Sequence, residues 1–234
     1  MKPRVSLVGP SAGAPESSSD RSSEGSPVSS PHRPGDLSAL GQIALYVGRI
    51  RQFQRIDWIV YVAWVGLMLG LCLSTGGFVW VAHRVSAPIP AEAFLVPFGA
   101  VIFTLAIALD TIGHRTIYKE ALRGGEALVH HIIIVAGIAS CVLLCAAYSG
   151  GAAFAVPALV LTVLSFIYSL VDEVMHWRRY LGGKSEVVEM WSHVFILIGH
   201  GIMMAGWWLW YWRGYAGVSD TLVALARGWP GGLR

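Results

Sequence analysis

Beyond residue 57 the chain alternates long apolar runs with short polar breaks. Five runs, 58–82, 92–115, 126–148, 152–176 and 188–212, are long enough to cross a bilayer as helices, since about 20 apolar residues span the hydrocarbon core. Ahead of them, Leu40, Ile43, Val47, Ile50 and Phe53 recur at helical spacing, with Arg49, Arg51 and Arg55 among them. That pattern predicts an amphipathic helix, either lying in the membrane interface or extending the first span on the cytosolic side. Residues 1–36 carry Ser, Pro, Gly and Ala with almost no large apolar side chains, so they bury too little surface to offset the entropy of ordering and are expected to be disordered. Their basic start leads into Pro and Ser instead of an apolar core, so it does not read as a signal peptide.

The expected organisation is a tail (1–36), an amphipathic interfacial segment (37–56), a first transmembrane helix (57–83), a first hairpin repeat (92–148), a second hairpin repeat (152–213) and a C-terminal tail (214–234). The fold class is an all-α integral membrane protein of five transmembrane helices, the last four forming a pseudo-two-fold four-helix bundle of two hairpin repeats.

Composition agrees with the pattern. Of 234 residues, 55% are hydrophobic and 13% charged, against about a quarter charged in a soluble domain. A net charge of +3, carried by scattered residues, gives no reason to expect nucleic acid as a partner. The basic residues instead set topology. Arg49, Arg51, Arg55, Arg115, Lys119, Arg123, Arg178, Arg179 and Lys184 fall on one side, and Arg84, Arg213, Arg227 and Arg234 on the other. The positive-inside rule then places the amino terminus in the cytoplasm and the carboxyl terminus outside, in a multi-pass protein of the inner (plasma) membrane.

Smaller features fit the same frame. Cys72, Cys141 and Cys145 lie inside apolar runs and suggest no disulfide framework. Trp207, Trp208, Trp210, Tyr211 and Trp212 close the fifth span and read as an interface belt. Gly66-x-x-x-Gly70, with Gly76 and Gly77 beyond, is expected to let another helix approach the first span closely, which opens homodimerisation through it. Gly124 with Gly125, and Gly182 with Gly183, sit where two hairpins need tight turns.

The chemistry lies in one repeated constellation. The second span ends Asp110-Thr-Ile-Gly-His114 and the third begins Glu126-Ala-Leu-Val-His130; the fourth ends Asp172-Glu-Val-Met-His176 and the fifth begins Glu189-Met-Trp-Ser-His193. Residues i and i+4 share a helix face, so each helix offers one carboxylate and one imidazole on the same side. Antiparallel neighbours bring all four pairs to one depth, and the two hairpins are parallel copies related by an axis along the membrane normal. Solvation of helix ends explains a single such pair, but not why the polar quartet repeats while the apolar residues around it do not. Four carboxylates and four imidazoles suit two divalent ions. A nitrogen and oxygen donor set without sulfur favours iron over manganese or zinc, and all three over copper(I).

Four further residues are candidates for added or supporting roles. Glu173 forms Glu-x-x-His with His176, Glu186 lies seven before His193, His131 adjoins His130 but projects about 100° away, and His200 sits two turns deeper than His193.

These features point first to an oxidoreductase in which a dinuclear iron site activates dioxygen and oxidises a lipid-soluble substrate, a lipid or quinone, reached from the bilayer. An electron donor would dock at the cytoplasmic face. The alternatives are a zinc hydrolase acting on lipid amides or esters, a b-type haem protein ligated by His130 and His193, and a divalent-metal transporter or sensor. Haem leaves the carboxylates without a role, and transport asks for polar groups deeper in the spans.

Overall fold

The computed structural model describes residues 38–117, 125–183 and 186–227. The expected disordered stretch 1–36, the loop residues Lys119, Arg123, Gly124 and Lys184, and Arg234 lie outside the described residues. Helix α1 covers Ala39–Gly48, α2 Arg55–Arg84, α3 Leu95–Thr116, α4 Gly125–Gly150, α5 Ala152–Leu181, α6 Val187–Trp212 and α7 Val218–Ala226. Short 3-10 turns, Arg49–Gln52 and Ala91–Phe94, follow α1 and precede α3. No strand occurs among the described residues. Five helices, α2 and α4 to α6 together with α3 and its leading turn, are long and apolar enough to cross a membrane, so this is a multi-pass membrane-helical protein.

Local chemistry sets the helix boundaries. Ser38 caps α1 by accepting from the Gly41 amide. Phe53 and Gln54 are extended and break the chain between the 3-10 turn and α2, which starts with a reciprocal capping box between Gln54 and Asp57. Thus α1 is a separate helix and not a continuation of α2. Its buried Tyr46 rests on α3 at Gly113, where any Cβ would collide with the phenol, and belongs to a small apolar cluster with Ile112 and Val188.

In the bundle, α3 runs closely along α6 and α4 closely along α5, while α5 touches α6 more lightly and α2 packs on α3. Both close seams therefore join the first hairpin, α3 and α4, to the second, α5 and α6. Hydrocarbon offers helices no hydrophobic reason to associate, so both seams rely on small residues and close contact. Along α3–α6 a Cβ on Gly99 would collide with the Met203 backbone, and one on Gly199 would lie 2.6 Å from the Phe103 nitrogen. On α4 and α5 the buried small residues include Ala136, Ser140, Ala147, Ala155, Ala158 and Ser165, and Gly137 lies against Ser165.

Two sequence expectations gain detail. Among the described residues a Cβ on Gly66 or Gly70 would meet nothing, so the face they open is left bare in the single chain. Their helix touches α3 through other positions, such as Gly76 beside Pro97. The aromatic run at the end of α6 is also more than a belt. Trp207, Trp208 and Trp210 are buried, and only Trp212 is fully exposed. The stretch read as a C-terminal tail folds back here: Gly217 adopts a left-handed conformation against Pro88 and Ile89, α7 follows, and Tyr215 donates to the Leu144 carbonyl. Trp208 donates to Thr162 and Trp210 to the Ala216 carbonyl, so these indoles find their partners inside the protein.

Candidate metal centre

Helices α3 and α5 end, and α4 and α6 begin, at the same end of the bundle, and their polar pairs meet there. Asp110 Oδ1 lies 2.9 Å from His193 Nε2 and 3.4 Å from His114 Nε2. Asp172 Oδ1 lies 3.0 Å from His130 Nε2 and 3.6 Å from His176 Nε2. These two sets are images of each other under the exchange of repeats. Asp172 Oδ2 also reaches His193 Nδ1 at 3.4 Å, and His176 reaches Glu189 at 3.2 Å and Glu126 at 3.9 Å. All eight residues picked out by the repeat thus form one continuous network. The His176 and His193 rings stack at 3.4 Å, and all four imidazole centroids lie within 6.5 Å of one another.

Two groups of donor atoms are compact enough to hold an ion: His114 with His176 and His193, and Glu126 with His130 and His176. Within each, the atoms lie within 4.8 Å of one another. His176 belongs to both and so sits between the two. His176 and Glu189 are almost completely buried, at 1% exposure each, and a buried anion is costly unless it is paired or coordinated.

The four additional candidates divide. Glu173 is half-buried beside the cluster, and its Oε1 is buried without a hydrogen-bond partner. His131 is exposed and its Nδ1 turns back to the Ala127 carbonyl of its own helix. Glu186 is drawn away from the cluster by Arg49, at 2.5 Å. His200 is buried between Phe166, stacked at 4.5 Å, and Phe103 at 5.5 Å, away from the carboxylates.

No family model, curated protein or solved structure matches this chain. The residues alone therefore describe the site.

Three residues outside the eight support the cluster: Arg179 contacts it directly, and Asp57 and Tyr46 hold the neighbours of His114. Arg179 places one guanidinium nitrogen 2.7 Å from Glu126 and another 3.3 Å from Glu189, joining a carboxylate of each repeat. Asp57, at the start of α2, is buried and takes Arg115, the neighbour of His114, at 2.7 Å from Nε. Tyr46 covers the backbone at Gly113, also next to His114. The signal for Arg179 is present in the sequence, because Asp172, His176 and Arg179 fall at i, i+4 and i+7 on one helix face.

A cavity of about 850 Å³ opens beside the cluster, walled by parts of α2 to α6. Asp110, His114, His130, Asp172 and His193 line one end; the remaining wall is mostly apolar and reaches Met203. It occupies the gap between α3 and α4, which are consecutive in sequence but not among the closely packed pairs. Exposed Leu67 of α2 and Val142 of α4 also line it, so it opens toward the lipid-facing surface.

Proposed function

We propose that this protein is an integral membrane di-metal oxidoreductase, with iron as the metal, that uses dioxygen to oxidise a lipid-soluble substrate. One observation carries the metal centre. Asp110 Oδ1, His176 Nε2 and His193 Nε2 are buried at the meeting point of four helices and have no hydrogen-bond partner, although Asp110 and His193 stand 2.9 Å apart. Donor atoms that converge without being aligned on one another are arranged for something between them. Neighbouring ligands on an ion with bonds of about 2.1 Å lie about 3.0 Å apart in an octahedron and about 3.4 Å apart in a tetrahedron. The carboxylate–imidazole separations run from 2.9 to 3.9 Å and take in both values, and the 4.8 Å spread within each triad asks only for small side-chain adjustments.

Charge supports the same reading. Four carboxylates meet one guanidinium, which leaves an excess of three negative charges for divalent cations to offset. Asp110, His114, Glu126, His130, Asp172, His176, Glu189 and His193 would hold the pair, and Asp172 faces three of the four imidazoles. Arg179 would keep Glu126 and Glu189 aimed inward, and Glu173 would stand ready beside the substrate. Iron held by these residues would supply the electrons and the binding place for dioxygen reduction. Hydroxylation balances when one oxygen atom enters a C–H bond and the other leaves as water, consuming two protons and two electrons from a reduced carrier at the cytoplasmic face. The basic residues around this end favour that face as cytoplasmic. The lipid-facing cavity argues for a substrate taken from the bilayer.

A haem between His130 and His193 finds no support, because the Asp172 carboxylate lies 3.0 Å from one ring and 3.4 Å from the other. Elemental analysis of detergent-purified protein, with an optical spectrum before and after reduction, tests the proposal. The expected result is about two irons per chain and no Soret band. Zinc in their place would turn the reading to a membrane hydrolase, and a chain that retains no metal would overturn it.

A further inference from the structure

The cavity beside the cluster has a direction as well as a volume. On α6 its lining runs from His193 to Met203, ten residues and therefore about 15 Å, half of the roughly 30 Å hydrocarbon core. It is one leaflet deep and lies along the bundle, parallel to the acyl chains of that leaflet. Gly66 and Gly70 line its α2 side, and because a Cβ on either meets nothing, the wall there is as thin as a helix can make it. A chain already in the leaflet can slide in sideways, without turning over and without leaving an apolar medium.

Exchanging lipid for an apolar wall gains little free energy, so selectivity must come from shape and from the polar end. There, Glu173 Oε1 is a buried acceptor without a hydrogen-bond partner in a residue that lines the cavity. It calls for a hydrogen-bond donor on whatever occupies the space.

We infer that the cavity binds a single-chain amphiphile whose head carries a hydrogen-bond donor, with the head at Glu173 and the cluster and the methyl end at Met203. The carbons presented to the cluster are then those next to the head, not those at the chain terminus. This rests on the proposed function only in taking the cluster as the reacting end.

Two photoactivatable long-chain primary alcohols, one with a diazirine beside the hydroxyl and one with it at the methyl end, test the binding and its direction on the whole chain in nanodiscs. The head-proximal probe should label α4 around Ala127 and His130, and the methyl-end probe should label around Cys141, Val142 and Met203. Gly70→Trp, or Gly66→Trp if the first variant folds poorly, should lower labelling by both at least tenfold. Gly77→Trp, at an equally open position of the same helix outside the cavity lining, should leave it unchanged. Labelling of the same residues by both probes, the reverse order, or wild-type labelling of the glycine variants overturns the inference. Metal content measured on the same samples separates the two ideas. Directional labelling of a metal-free protein leaves this binding site standing and removes the oxidoreductase; two irons with undirected labelling does the opposite.

Discussion

The two hairpin repeats present matching donor atoms on different supports. In one, Asp110 approaches His193 at 2.9 Å; in the other, Asp172 approaches His130 at 3.0 Å. Behind these atoms the halves diverge. The α3–α6 seam brings backbones together over glycines, whereas the α4–α5 seam uses alanine and serine. Arg179 follows His176, but the corresponding position after His114 is Ile117. Symmetry is kept in the closest aspartate–imidazole approaches, loosens where Asp172 takes a third imidazole, and is lost in the packing behind them. A constraint on the point where these groups meet explains that difference better than a general preference for polar helix ends.

The largest effect should come from separating the two aspartates. Asp172 faces three imidazoles and Asp110 two, so Asp172→Ala should abolish binding of both ions while Asp110→Ala retains about one. Metal analysis of the two purified variants decides this, and equal losses would remove the asymmetry assigned to Asp172.

Next come the seams. Gly199→Ala places a Cβ 2.6 Å from the Phe103 nitrogen and should cost about 3 kcal/mol. The counterpart change, Ala136→Gly, should cost about 1 kcal/mol. Thermal unfolding in detergent, followed by tryptophan fluorescence, gives both values. Similar losses would mean that the seams are equivalent after all.

Arg179→Ile makes the second repeat resemble the first. It should weaken metal binding about tenfold, with Arg179→Lys recovering part of the loss, since groups that orient ligands commonly contribute tenfold to a hundredfold. Competition with a chelator of known affinity measures it. The smallest effect belongs to Glu186, once a candidate for the site and now the partner of Arg49. Its side chain is 45% exposed, and Glu186→Gln should change stability by no more than about 0.5 kcal/mol and metal content not at all.

What could be read in advance follows from the range of each interaction. The five spans and the eight polar positions are local patterns of period and spacing, so the chain displays them directly. The convergence of the eight follows from topology, because antiparallel helices of similar length bring their ends to one depth. Asp57 and Tyr46 were not legible, since each meets α3 across a long stretch of chain and neither forms a pattern with its own neighbours. Arg179 was legible but already had an explanation, as one basic residue among many near a membrane surface. The glycines of α2 show a limit of motif reading: Gly66-x-x-x-Gly70 matches a contact motif, yet within the chain the close backbone contact falls at Gly99 and Gly199. A small residue permits close approach, and what fills that space depends on the rest of the bundle.

The folded-back carboxyl end has a consequence for the bundle as a whole. Trp207, Trp208, Trp210 and Tyr215 form a buried plug at the end of the bundle opposite the acids and imidazoles, with the Tyr215 hydroxyl spent on the Leu144 carbonyl. Met203 belongs to the same buried apolar cluster as these rings, so the cavity that begins at the acids and imidazoles ends against them. The polar network is thereby confined to one end of the bundle, and the other end is sealed by aromatic packing.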